Sequence, residues 1–425
     1  MLDIKFIRQN HEKVKEAIKN KNVDLDLDKL LASDERRRHL LSESESLKAE
    51  QNKRSKGPQS PVDLEELRAL KEKIKLIENE LKSVEEEFER LMMMVPNIPS
   101  EDTPVGKDES GNKILRKWGK IKNFDFKPKE HWELGVELDL IDTERAAKVS
   151  GSRFGYLKGK LVLLEFAIVQ FVLERLIKKG YVPILPPALI KLGITKHLGY
   201  WDSGGNENYY LVSDFQKDKP KTEEVSNLLY LVGTAEHSIV PMYQNETIHK
   251  EELPKKFIGF SSSFRREAGS YGRDTKGILR VHQFDKLEMI CFVKPEEDKI
   301  IRQEMVELVE KMLQELKLSY QVVQLCTGDI SFPAAATTDI ETWMPGQGKY
   351  RETHSISTTT DFQSRRLKTK YTDNNENKLV YILNGTAFAL GRIMIAIMEN
   401  YQTKKGTIEV PKVLRKYMGG IKEIK

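Results

Sequence analysis

Cysteine is nearly missing from this chain: its 425 residues include two, Cys291 and Cys326. There is no CxxC pair, HExxH or histidine cluster, so a structural zinc site is not expected, and two reduced, buried thiols are. Long apolar runs are missing as well. The opening MLDIKFIRQN lacks the apolar core of a signal peptide. The most apolar run, Leu161 to Ile177, is interrupted by Glu165, Gln170 and Glu174, so it reads as a buried helix and not a membrane span. A soluble cytoplasmic protein with no membrane partner is expected. Neither sign of charge dominates, with 70 basic against 65 acidic residues and a net charge of +5. Composition therefore does not announce a nucleic-acid binder, and any such surface must be local. Also missing are the two glycine loops that usually mark a nucleotide site, GxxxxGK followed by Ser or Thr, and GxGxxG. What is present is a globular composition, 39% hydrophobic and 32% charged, with room for two or three domains.

Glycine and proline are scarce before residue 97, limited to Gly57, Pro58, Pro61 and Pro96, and frequent after it. The first part, residues 1–100, should be helical, and the second, 101–425, mixed. Leu67, Leu70, Ile74, Ile77, Leu81, Val84, Phe88 and Leu91 step by three and four without a break, the 3.5-residue repeat of a coiled coil. Asp63 is the expected N-cap, and Pro96 the stop. The partner is Asp28 to Lys56, with a weaker seam of Leu30, Leu40 and Leu47, joined through the turn KGPQSP. An antiparallel hairpin over about 28–95 and roughly 45 Å long follows, at about 1.5 Å per residue. Its charge is uneven. Asp28 to Arg90 carries 14 basic and 16 acidic residues, whereas Lys48 to Lys75 carries 8 against 5. The eight basic residues near the tip are Lys48, Lys53, Arg54, Lys56, Arg68, Lys71, Lys73 and Lys75. They fit either a solvated coiled-coil surface or a contact with a phosphate backbone.

After a polar connector, Asn97 to about Lys129, the pattern gives helices near 160–179, 296–316 and 389–401. Between and around them lie apolar strands: YVPILPP, LLYLVGT, KKFIGFSSSF, LRVHQFDKLEMICFV, YQVVQL, TTDIETWM and KLVYILN. An antiparallel sheet flanked by helices, an α+β domain, is expected. Within it, FRREAGSYGRDTKGILRVHQFDKLEM (264–289) reads as two strands joined by a long basic loop. A hairpin offers no helix N-terminus to an anion, so a phosphate here must be held by side chains, chiefly arginine. Alternation from Leu279 onward puts His282, Phe284, Lys286, Glu288 and Ile290 on one face. Phe284 and Glu288 are then about 13 Å apart, at about 3.3 Å per residue. An aromatic, a phosphate clamp and a carboxylate on one surface suit ATP beside an amino acid. An ordinary amphipathic hairpin fits the same stretch.

The stretch resembles motif 2 of the seryl-tRNA synthetases, class II aminoacyl-tRNA synthetases, whose usual form is FRxEAGxxGRDTxGLxRxHQFxKxE. The likeness extends over nearly the whole chain. GTAEHSIVPM matches the TAE loop and ERAAKVSGSRFGYLKG the start of the catalytic domain. GYVPILPP matches motif 1, at the family's dimer interface. ETHSISTTTDFQSRRL matches the ExxSCSNxxDFQARR strand, LNGTAFALGRIMIAIMENYQ motif 3 and IEVPKVLRKYMGG the C-terminal end. DERRRHLLSESESLKAEQNKRSK fits the arm's first helix.

The resemblance implies an N-terminal coiled-coil arm and a catalytic domain built on six or seven antiparallel strands. It implies a homodimer that forms seryl-adenylate from L-serine and ATP with Mg²⁺, then charges tRNA(Ser), with tRNA(Sec) a second candidate. Arg265 and Arg392 would be catalytic, on the α- and γ-phosphates. Serine would meet Thr234, Ala235, Glu236, Arg265, Glu288, Asn384 and Thr386. ATP would meet Arg265, Arg266, Glu267, Val281, Phe284, Glu352, Thr353, His354, Ser355 and Arg392. Mg²⁺ would sit on Glu352 and Ser355. The eight basic residues of the tip would meet the tRNA's long variable arm.

Against the family pattern, Thr386 stands for serine, Ala387 for glycine, Ile356 and Thr358 within SCSN, and Ala336, Thr337 and Thr338 before DIE. The segment Gly199–Glu224 is longer than usual. His282 and His354 are expected to be structural, since the reaction needs no strong base. Two other readings are a serine-activating ligase for a carrier protein, which should lack a full arm, and a non-catalytic paralogue, which should have lost the phosphate ligands. The unbroken seam argues against the first, and Arg265, Glu267, Glu352 and Arg392 against the second.

Overall fold

A stripe of eight apolar residues from Leu67 to Leu91 needs a second surface to bury it, and a neighbouring helix provides one. A computed structural model describes residues 1–56, 60–200, 205–212, 228–268, 272 and 274–425. It contains two compact units, Met1–Pro96 and Asn97–Lys425. In the first, Pro61–Met93 and Leu27–Arg54 are long helices of 33 and 28 residues. Their ion pairs, Lys29 with Glu87, Arg36 with Glu80 and Arg54 with Glu66, run in opposite order, so the helices are antiparallel. Every residue of the stripe is buried or half-buried. The facing helix buries Leu27, Leu30 and Leu40, but also Asp34 and Ser44, which is why its apolar pattern is weak. Asp34 is completely enclosed and is met by Arg8 at 3.1 Å, Arg38 at 3.2 Å and Arg37 at 3.7 Å.

The expected N-cap is corrected. Ser60 caps the second helix, and Asp63 is the reciprocal member of a capping box three residues in. Pro61 takes the first helical position, where no N–H is needed. The expected turn at Lys56–Pro61 lies partly outside the described residues.

The second unit is built on an eight-stranded sheet, numbered here β1 (Lys113–Trp118), β2 (Val182–Ile184), β3 (Lys255–Phe264), β4 (Gln283–Val293), β5 (Tyr320–Gln324), β6 (Ala336–Met344), β7 (Lys349–Thr360) and β8 (Tyr381–Ala389). The order is β1-β5-β6-β7-β8-β4-β3-β2. All pairings are antiparallel except β2 with β3. Two expectations change. The polar connector contains β1, an exposed edge strand whose residues show no buried face to read from sequence. LLYLVGT contributes Leu229–Leu231 to a separate small sheet with Leu189–Lys191 and Tyr210–Val212. The helices Lys160–Ile177, Asp298–Glu315 and Leu390–Tyr401 contribute to one core with Leu287, Met289, Cys291 and Val293 of β4. Alternation turns Phe284, Lys286 and Glu288 of that strand the other way, into a cavity. Among the described residues no helix is long and apolar enough to cross a membrane.

The enclosed carboxylate of the helical unit gives a stability test. Asp34→Ala strands three guanidinium groups. It should lower the unfolding free energy by about 3 kcal/mol, the low end for a broken buried pair because the arginines keep contact with water. Asp34→Leu, which fills the seam, should cost less. Urea denaturation followed by circular dichroism measures both.

Candidate active site

β4 continues from the loop that follows β3, and the two strands pair from Gln283 with Phe264 to Phe292 with Lys255. The second strand of this hairpin begins at Gln283, four residues later than Leu279. His282 therefore precedes it, with Nδ1 2.9 Å from the carbonyl of Arg265 and its N–H donated to that of Arg153. Gly269, Ser270, Tyr271 and Arg273 of the loop lie outside the described residues, as does most of Gly199–Glu224.

A cavity of about 610 Å³ opens over β4, β7 and β8. Two β-bulges determine what faces it. On β7 Thr353 is an extra residue between Glu352, opposite Glu341, and His354, opposite Ile340. One extra residue reverses the parity of a strand, so Glu352 and Ser355 line the same cavity despite their odd spacing. On β8 Ala387 is the extra residue between Thr386, opposite Glu288, and Phe388, opposite Leu287. Thr386 is thereby set directly across from Glu288.

Glu288 is the centre of one end. Its Oε2 pairs with Lys286 Nζ at 2.5 Å and accepts from Thr234 Oγ1 at 3.2 Å and Thr386 Oγ1 at 3.5 Å. Burial pulls the Lys286 ammonium below its usual range. Glu236, the first residue of the short helix Glu236–Ile239, accepts from Gln363 at 2.8 Å and Tyr200 at 2.9 Å. Burial pushes its carboxyl up to about 7. His237 beside it is driven down to about 3 by burial and the charges of Arg265 and Lys286, so it is a neutral ring at neutral pH.

The other end is cationic. Arg265 follows β3, donates Nε to the Gly233 carbonyl at 3.2 Å and has its guanidinium 5.5 Å from the Phe284 ring centre. Arg392, in the first turn of Leu390–Tyr401, pairs with Glu352 at 3.0 Å. Burial opposes ionisation of Glu352, but the Arg392 guanidinium outweighs it and holds the carboxyl below its usual range. Asp339, behind Ser355 on β6, is pushed the opposite way, first by burial and then by the charge of Glu352. Glu267, at φ 53°, is held by Arg280 at 2.7 Å.

Most residues expected in the site line this cavity: Thr234, Glu236, Glu288, Asn384 and Thr386 at one end, and Arg265, Glu267, Val281, Phe284, Glu352, Thr353, Ser355 and Arg392 at the other. Three do not. Ala235 is fully buried in an apolar cluster with Ile239 and Phe257. Arg266 is exposed and enters only through its N–H, bonded to the Asn208 carbonyl. His354 points to the back of the sheet, against Phe388. Lys286, which is not among the residues expected to bind, lines the cavity too. Its position between Phe284 and Glu288 on an alternating strand was the available signal. All eight basic residues of the helical tip are exposed. Lys48 pairs with Glu78, Arg54 with Glu50 and Glu66, and Lys73 with Glu43. Lys53, Lys56, Arg68, Lys71 and Lys75 make no ion pair among the described residues.

Comparison with known proteins bears on both units. Residues 1–99 match the seryl-tRNA synthetase N-terminal domain, and 215–401 the tRNA synthetase class II core domain shared by the G, H, P, S and T enzymes. The chain is 44% identical to a serine–tRNA ligase of Petrotoga mobilis, covering 99% of each chain, and 42% identical to one of Borreliella afzelii, covering 99% of this chain and 98% of the other. Among solved structures, the seryl-tRNA synthetase of Pyrococcus horikoshii complexed with ATP matches 100% of this chain and 99% of its own, at 37% identity and a TM-score of 0.89. The cytoplasmic serine–tRNA ligase of Naegleria fowleri in complex with AMP matches to the same extent, at 32% and 0.86.

Glu236 gives the site a pH signature. Its folded carboxyl keeps a proton up to about 7, against 4.5 for the ordinary group, so the folded state binds more protons in that window. This contribution to stability is complete below about 4.5 and is lost as pH rises through about 7. Glu236→Gln cannot ionise. The stability of wild type relative to this variant should fall between pH 5 and pH 8 by up to about 3 kcal/mol, at 1.36 kcal/mol per unit. Thermal unfolding of both proteins across that range measures it, and a constant difference would refute the assignment.

Proposed function

The chain belongs to the seryl-tRNA synthetase family, and from that premise we infer that it is a serine–tRNA ligase, activating L-serine with ATP and passing it to the 3′ end of a serine tRNA. The observation that carries this reading is a single cavity with buried carboxylates at one end and two arginines at the other. Glu288 already holds an ammonium group, that of Lys286, which is the chemistry a serine α-ammonium requires. The hydroxyls of Thr234 and Thr386 and the carboxyl of Glu236 make this end polar throughout. A ligand without a hydroxyl leaves such groups unpaired, the basis on which a polar pocket discriminates.

At the other end Phe284 and Val281 offer an adenine platform, Arg265 the α-phosphate contact and Arg392 the γ-phosphate contact. The ATP complex of the Pyrococcus relative supports ATP as the nucleotide. The serine carboxylate oxygen attacks the α-phosphorus in line, and pyrophosphate leaves. The 3′-hydroxyl of the terminal adenosine then attacks the carbonyl of the adenylate, and AMP leaves. Catalysis is positioning plus stabilisation of charge on the phosphates; the neutral His237 is not needed as a base. The Glu352 carboxylate and Ser355 hydroxyl, hard oxygen donors on one side of a bulged strand, fit Mg²⁺, which commonly takes one or two carboxylates and completes its shell with phosphates and water. Bound there, it would neutralise triphosphate charge.

The arm supports the tRNA partner: five exposed cations without acidic partners among the described residues suit a phosphate backbone, and such contact is salt-sensitive. A homodimer is supported by the exposed apolar side chains Leu163, Phe166 and Ile177 of one helix and Val182 and Leu185 in and after β2, within and beside the motif 1 segment.

The protein should catalyse serine-dependent ATP–pyrophosphate exchange, reduced at least about a hundredfold in Arg265→Ala; a wild-type protein without exchange refutes the reading. Deleting residues 28–90 should spare exchange and abolish charging of serine tRNA, and charging that survives the deletion removes the arm from the mechanism.

A further inference from the structure

His131 lies outside every motif read from the sequence, at the start of the helix His131–Glu137, and is almost completely buried. Its Nε2 accepts the backbone N–H of Ile278 at 3.1 Å. An imidazole nitrogen that accepts carries no proton, so the ring proton is on Nδ1. Nδ1 faces Glu399 Oε1 at 3.4 Å. The contact does not reach hydrogen-bond geometry, and Nδ1 has no hydrogen-bond partner among the described residues. Glu399 is itself fixed, accepting the N–H groups of His131 at 3.1 Å and Gly346 at 2.9 Å with no exposure to solvent. The loop backbone rests directly on the ring: a Cβ at Gly277 (φ 68°) would come within 2.1 Å of Nε2.

Both ends of this contact lead to the nucleotide. Ile278, Leu279, Arg280 and Val281 line the cavity, and Arg280 holds Glu267. Glu399 lies near the end of the helix whose first turn carries Arg392. One helix thus presents the proposed γ-phosphate ligand at its start and, near its end, anchors the backbone of the residue whose imidazole carries the adenine side of the loop.

We propose that His131 is a positioning residue for the nucleotide end of the site: its imidazole, on a backbone anchored by Glu399, holds the backbone at Ile278 so that Arg280 and Val281 face the cavity. The inference rests on the reading of this cavity as the ATP site. A ring that only filled space would be replaced by any side chain of similar volume. A ring that acts through Nε2 requires an acceptor at that reach, which glutamine supplies and phenylalanine and asparagine do not.

The test measures ATP affinity by calorimetry on the full-length protein, with KM for ATP and for serine in pyrophosphate exchange and thermal unfolding alongside. His131→Phe should weaken ATP binding and raise KM for ATP about tenfold, equivalent to about 1.4 kcal/mol, leaving KM for serine within about twofold. His131→Gln should restore most of the loss. If His131→Phe does not fold, His131→Asn replaces it with the same expectation. Unchanged ATP affinity, an equal rise in KM for serine, or a glutamine variant as impaired as phenylalanine overturns the proposal while the cavity's assignment stands. A wild-type protein that binds no ATP overturns the assignment and this inference together.

Discussion

The ion pair between Lys286 and Glu288 is the constraint around which the site is arranged. Two charges two residues apart on one strand, both almost fully buried, are stable only if each is matched where it lies. Matching them requires β4 to stay in the middle of the sheet, with β3 and β8 bonded on either side, where the hydroxyls of Thr234 and Thr386 donate to the same carboxylate oxygen as the ammonium. The odd-numbered residues of the same strand pay no such penalty. Leu287, Met289, Cys291 and Val293 face apolar helices and supply burial. One strand therefore anchors the core with one face and holds charge ready with the other.

Charge is handled differently at the end that carries Arg392 and Glu352. Arg392 and Glu352 pair at 3.0 Å but remain partly exposed, so a polyanionic ligand can separate them without uncovering a fully buried ion. The buried neighbour there is Asp339, whose carboxyl is pushed well above its usual range by burial and by the Glu352 charge. The two carboxyls are pushed in opposite directions, and the one held low is the one facing the cavity.

The sequence made much of this legible because it is periodic. The 3.5-residue seam on 67–91 specified a hairpin arm, and the alternation in 284–288 specified which side chains share the cavity. What alternation could not reveal are the two bulges. Strict parity would separate Glu352 from Ser355, and it is the extra residue at Thr353 that brings them together. Nor could it reveal β1, whose residues are exposed on both faces, or a capping box in which the acid at Asp63 answers a serine three residues before it. His131 and Glu399 stand 268 residues apart, and a pairing over that separation leaves no local pattern to read.

The same parity explains how the chain tolerates its departures from the family pattern. Ser355 and Ser357 line the cavity, while Ile356 between them and Thr358 after them point behind the sheet. Ile356 lies in the helix-packed core, and Thr358 bonds Asp298 at the start of a helix there. Ala387 is the bulge residue of β8 and also belongs to that core. Thr337 bonds the Ser357 hydroxyl at 2.9 Å from the next strand, so its own hydroxyl supports the cavity wall without forming it. Of these substitutions only Thr386 lines the cavity. Its hydroxyl keeps the contact to Glu288 that a serine there would make, and the added methyl narrows the cavity beside that carboxylate.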